Sequence, residues 1–103
     1  MQNEQIADIV TSVNSWLDDL ALDPSLRYQI GVDSDPVNWA DLKVVEFIKN
    51  ETLYPEYKDG RYTYYTIVID EASPDASKLS QYIYSKLSQN FPELKNISVR
   101  TEW

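Results

Sequence analysis

Ten consecutive residues, Arg61 to Asp70, carry apolar or aromatic side chains on both of their alternating faces. Tyr62, Tyr64, Thr66 and Val68 share one side, and Tyr65, Ile67 and Ile69 share the other. A strand with two such faces needs cover on both, so it lies centrally in a sheet or lends one face to a partner. The rest of the chain must supply that cover. No cysteine is present, so no disulfide can stand in for a buried core. The 103 residues suit a single domain spanning 1–103, and 43% apolar content is enough to fill one core. Trp, Tyr, Ile, Val and Leu are spread along the whole length, which argues against global disorder.

Two segments have helical periodicity. Over 4–21, Ile6, Ile9, Val10, Val13, Trp16, Leu17 and Leu20 recur at spacings of three and four. Asn3 is a cap, and Asp23-Pro24 ends the segment, because the residue before a proline avoids the helical region. Over 74–90, Ala76, Leu79, Ile83 and Leu87, with the trailing Phe91, form a second stripe. Ser73 caps it and Pro74 opens it. Strands are expected at 27–32, where Tyr28, Ile30 and Val32 alternate, at 61–70, and at 96–102, where Ile97 and Val99 alternate. Asp33 to Pro36 reads as a turn. Residues 37–50 fit either a helix through Leu42, Val45 and Ile48 or a strand over 42–49. The β-branched and aromatic pairs Val44-Val45 and Phe47-Ile48 favour the strand. A polar loop is expected over 50–60, with a turn at Asp59-Gly60. The order is α-β-β-β-α-β. It predicts an α+β domain, a mainly antiparallel sheet of about four strands packed against two amphipathic helices.

Composition narrows the chemistry. With neither histidine nor cysteine, the chain has no imidazole base, no thiolate nucleophile and no imidazole or thiolate metal ligand. Only two glycines occur, so a phosphate-cradling glycine-rich loop is excluded. No enzymatic activity and no cofactor are expected. The net charge is −8, and it is lopsided. Residues 1–41 hold eight acids against Arg27, and the remainder is nearly balanced. Direct nucleic-acid binding is disfavoured, because it needs cationic surface to displace counterions. No apolar run approaches the roughly 20 residues that span a bilayer. Residues 1–7 lack the basic-then-apolar pattern of a signal peptide. No membrane association is expected, and a cytoplasmic location is.

Two groups of residues are candidates for binding. Tyr54, Tyr57, Tyr62, Tyr64 and Tyr65 occupy five of twelve positions. Tyrosine is enriched in interface cores because it buries area at low entropic cost and keeps a polar tip. It is also an ordinary residue for a half-wet strand. The acids Asp18, Asp19, Asp33 and Asp35 form a candidate acidic surface for a cationic partner, or serve solubility alone. Asp33-Ser34-Asp35 is no EF-hand loop, since the required glycine and closing glutamate are missing. Ser73, Ser77, Ser80, Ser85 and Ser88 read as helix-surface residues, because no serine stands three before a lysine as the Ser-x-x-Lys nucleophile pattern requires.

In arrangement, the helix Ile6 to Leu20, the turn Tyr57-Lys58-Asp59-Gly60-Arg61 leading into Tyr62 to Asp70, and the helix Asp75 to Phe91 resemble the small phage and prophage tail-completion proteins of the tail-terminator and minor-capsid group. The resemblance covers most of the chain in layout and almost none of it in specific motif. It implies self-association into a ring stacked on a tail tube, with the chain itself or other protein subunits as partners. A fainter similarity links Ser73-Pro74-Asp75-Ala76 and the strand Ile97 to Glu102 to the tunnelling-fold pterin synthases. That family uses zinc-binding histidines, which this chain lacks. A different class of function is an acidic inhibitor that mimics nucleic acid and blocks a DNA-binding enzyme, on the strength of the acidic 1–41 segment.

Overall fold

The structure, a computed structural model, describes residues 3–32, 38–53, 61–70, 76–94 and 96–102, with the backbone alone at 3, 51–53, 61–63, 70, 76 and 101–102. Helix α1 spans Asn3–Leu22. Its apolar stripe becomes one wall of the core, with Ile9, Val13, Trp16, Leu17 and Leu20 all buried. Asp8, Thr11, Ser15, Asp18 and Asp19 face outward.

Directly after α1 comes a second helix, α2, Pro24–Ile30, in place of the strand expected at 27–32. Its ends explain the difference. Asp23 accepts hydrogen bonds from the N–H groups of Ser25 and Leu26 at 3.0 and 3.2 Å, and Pro24 takes the first turn. Gly31 closes the helix at φ +82°, a conformation that favours glycine, and the Val32 N–H donates to the Arg27 carbonyl at 3.0 Å. Arg27 then reaches back. Its Nη1 donates to the carbonyls of Leu20 and Ala21 at 2.6 and 3.2 Å, satisfying the end of α1. Tyr28, Ile30 and Val32 do not share a face as a strand would require. Tyr28 is 77% exposed, whereas Val32 is fully buried.

A 3₁₀ turn at Trp39–Asp41 leads into strand β1, Val44–Leu53. The strand alternative for 37–50 therefore holds, starting two residues later than expected and running on through Leu53. Strand β2 spans Arg61–Asp70, helix α3 Ala76–Asn90 and strand β3 Ile97–Glu102. Among the described residues the sheet has three strands, in the order β1-β2-β3. β1 and β2 are antiparallel, from Val44 opposite Ile69 to Leu53 opposite Arg61. β2 and β3 are parallel, from Tyr65 opposite Ile97 to Asp70 opposite Glu102. The α+β class stands, but in place of the expected sheet of about four mainly antiparallel strands the described residues form a mixed sheet of three. One expected strand is α2. The other departure follows from α3, which carries the chain back so that β3 starts opposite Tyr65 and runs in the same direction as β2, as a parallel neighbour requires.

Both long helices pack on the sheet face that carries Ile67 and Ile69. Leu79, Ile83 and Leu87 of α3 meet the α1 stripe there, with Val44, Phe47, Ile97 and Val99 packed around them. On the opposite face lie Glu46, Ile48, Tyr64, Thr66, Ser98 and Arg100, half-buried or exposed, with Val68 buried at the centre. A bulge at Val45 shifts the register between Val44 and Glu46. There the Val44 N–H donates to Asn14 Oδ1 of α1 at 2.8 Å, tying the bulge to the helix.

Candidate interaction surfaces

The β1–β2 hairpin extends past the third strand of its sheet. β3 pairs with β2 only over 65–70, while β1 pairs with β2 down to Arg61. Residues 50–53 and 61–64 thus form a two-stranded ribbon that continues past the end of β3. Ten-residue strands reach about 33 Å. The molecule measures 49 × 26 × 21 Å, with a radius of gyration of 15.0 Å. A compact chain of this length has a radius of about 13 Å. A two-stranded ribbon alone is marginal in water, so an arm of this kind gains from a partner.

Of the five candidate tyrosines, Tyr54 and Tyr57 lie outside the described residues. Tyr62 holds a register position opposite Thr52 in the arm. Tyr64 and Tyr65 are neighbours in sequence but stand on opposite faces of β2, both half-buried. The Tyr65 ring lies 5.6 Å from that of Phe47, tilted by 43°, at the margin of the core. Tyr64 and Tyr65 therefore do not share one surface. Tyr64 borders a shallow hollow of about 320 Å³ with Asn96, Ile97 and Ser98, where the arm leaves the body. Asn96 there adopts φ +59°, which asparagine tolerates better than most residues.

The acidic candidates also divide. Asp18 and Asp19 are exposed near the end of α1, and Asp33 and Asp35 lie outside the described residues. Asp23 is engaged as the cap of α2. Glu4 and Asp8 are exposed at the other end of α1, separated from Asp18 by the uncharged Thr11, Ser12 and Ser15. Asp19 does act on a neighbour. Tyr82 is half-buried, and its phenol is pushed above its usual pKa, first by burial and then by the negative charge of Asp19.

Two features had no counterpart in the sequence reading. A groove of about 390 Å³ runs between α3 and β3, lined by Ser80, Gln81, Tyr84, Ser85 and the strand from Ile97 to Val99. Tyr84, 49% exposed, stands beside it. A second groove, about 370 Å³, lies between α2 and α3 beside Ile30, Lys78 and Tyr82. The available signal was a stretch of α3 with no charge among Ser80, Gln81, Tyr84, Ser85 and Ser88. Reading these serines as helix surface placed them correctly but gave them no neighbour. Among the described residues no group of three or more acidic side chains gathers as a metal site would require. Among the same residues no helix is long and apolar enough to cross a membrane. Compared with protein-family models, with curated proteins and with solved structures, the chain matches none.

Proposed function

We propose that the protein is a non-enzymatic structural protein that works by self-association, as a phage or prophage tail-completion protein of the tail-terminator kind that closes into a ring. In this reading it folds in the host cytoplasm and ends in the virion. The observation that carries it is the hairpin arm, a ribbon prolonged past the third strand with Tyr62 and Tyr64 on it. An arm of that length has little use in a monomer, whereas docked on a neighbour it covers its own open edges. Arm-to-body contacts are heterologous, and heterologous contacts close into rings when the rotation allows.

The test is the mass of the full chain by size exclusion with light scattering. The native chain is expected to give a defined oligomer. Tyr62→Ser combined with Tyr64→Ser is expected to lower that mass while leaving the helical circular dichroism in place. A native chain that stays monomeric at high concentration rejects the reading.

The alternative, an acidic inhibitor that mimics nucleic acid, draws on the exposed Glu4, Asp8, Asp18 and Asp19 of α1. It requires a continuous acidic surface, and the uncharged middle of that helix face speaks against one. Under it, binding to a cationic partner weakens steeply as salt rises.

A further inference from the structure

We propose that the outer edge of β3 is a self-pairing edge. Two copies join antiparallel across it with Val99 on the two-fold axis, and two three-stranded sheets become one of six strands. This contact is separate from the hairpin arm and goes beyond the ring reading.

The backbone directions come from one hydrogen bond. The Tyr65 N–H donates to the Asn96 carbonyl at 2.8 Å, and Tyr65 stands opposite Ile97. Ser98 and Arg100 therefore turn their backbone groups toward β2. Ile97, Val99 and Thr101 turn theirs away from it. Among the described residues no strand lies beyond β3. Such a row of outward N–H and C=O groups is a template for another strand.

The two edges of this sheet are built differently. β1 carries the bulge at Val45 and exposes Glu46 and Lys49, with Lys43 exposed just before it. Bulges and edge charges are devices that discourage edge-to-edge pairing. β3 has no bulge in its pairing and no proline, and its two charged residues, Arg100 and Glu102, follow an uncharged stretch from Ile97 to Val99. Beside that edge lies the groove of about 390 Å³ under Tyr84. An added strand lies about 4.8 Å from its neighbour, which sets it along this groove.

Charge selects the occupant. The groove is lined by Ser, Gln, Tyr, Ile and Val, so an acidic or basic peptide gains nothing there. A second copy of β3 matches it. With Val99 on the axis, Ile97 faces Thr101, Ser98 faces Arg100 and Val99 faces Val99 of the second copy. No like charges meet, and β-branched side chains pair on the helix-covered face. A slip that puts Arg100 on the axis sets two guanidinium groups directly opposite, which is destabilising. The same symmetry brings each copy's α3, with Tyr84, over the joint. An isologous contact of this kind makes a dimer on its own, or, combined with a ring, two rings back to back. Each copy carries a net −8, so screening favours the pair, and dimerisation strengthens as salt rises.

The test uses the full chain and amide hydrogen exchange by NMR at low and high protein concentration. The N–H groups of Ile97, Val99 and Thr101 are expected to gain protection with concentration, while those of Ser98 and Arg100 stay protected throughout. Val99→Pro removes an outward N–H and spares the β2–β3 ladder, the one setting in which a strand tolerates proline. It is expected to weaken dimerisation by about tenfold or more, through the lost hydrogen bonds and the ring set against the partner strand. Tyr84→Glu, on the helix surface and away from the ladder, is expected to weaken it as well, and it decides the matter if Val99→Pro does not fold. The proposal is overturned if protection at 97, 99 and 101 does not depend on concentration, or if Tyr84→Glu and a folded Val99→Pro keep the native mass. If Tyr62→Ser with Tyr64→Ser lowers the mass under those outcomes, the arm is an interface and the β3 edge is not.

Discussion

The two halves of the β1–β2 hairpin have the same backbone pairing and very different surroundings. Near Val44 and Ile69 the ribbon has β3 beside it in the sheet and α1 and α3 packed on one face. Beyond Lys49 and Tyr65 it has passed the end of β3. Along β2 the face of Tyr62, Tyr64, Thr66 and Val68 runs through both halves. The difference shows that the pattern of a strand reports which faces are apolar, but not how far along the strand those faces find cover. The inner half is held by burial. The outer half is held by its own ladder.

Core truncation tests that contrast hardest. Ile67→Ala, in the inner half, is expected to cost about 2–5 kcal/mol in urea unfolding, as large-to-small changes at buried sites do. Asn50→Ala, in the outer half, is expected to shift stability by about 0.5 kcal/mol or less. Equal effects at the two sites would mean that the arm is packed as firmly as the body.

A smaller effect is expected where no strand is involved. Asp23→Ala removes the acceptor that starts α2 and should cost about 1 kcal/mol by thermal melting. The loss should appear in α2 and at its contact with the end of α1, leaving the hairpin untouched.

The smallest effect is a pH dependence confined to the body. Tyr82 has its folded pKa raised above the usual 10.0, so the neutral phenol is the form that folding favours. Its contribution is fully present below pH 10 and is lost as pH rises through the higher folded value. Tyr82→Phe should flatten the alkaline end of the stability profile and leave it unchanged near neutrality.

Much of this fold was legible because periodicity was long and unopposed. α1 and α3 each repeat their stripe over four or more turns, and β2 alternates over ten residues. At 27–32 the signal fails for a physical reason. Over six residues the period of two and the period of 3.6 cannot be told apart, and Asp23, Pro24 and Gly31 settle the matter from outside the segment. The ambiguity at 37–50 has its source in the bulge. Because Val45 is an extra residue, Val44 and Phe47 both face the core at a spacing of three, which is a helical spacing inside a strand. Parallel pairing of β3 was readable in principle, since a helix between two strands marks a crossover unit. Among the candidate residues, alternation already put Tyr64 and Tyr65 on opposite sides. The α3–β3 groove could not be read, because its walls are distant in sequence and nothing in either segment alone requires them to be neighbours.

The crossover through α3 also has a consequence in time. β2 meets β1 through a short local connection, but its other neighbour must wait until α3 and β3 exist. At synthesis rates of 5–20 residues per second, the stretch from 71 to 102 takes about 2–6 s to emerge after β2 is complete. For that interval the most apolar strand of the chain, with Ile67, Val68 and Ile69, is an edge. Loop closure makes this pairing slower than the hairpin even in a finished chain. The nascent protein is therefore most prone to join a wrong partner along β2, before its last strand arrives to occupy that side.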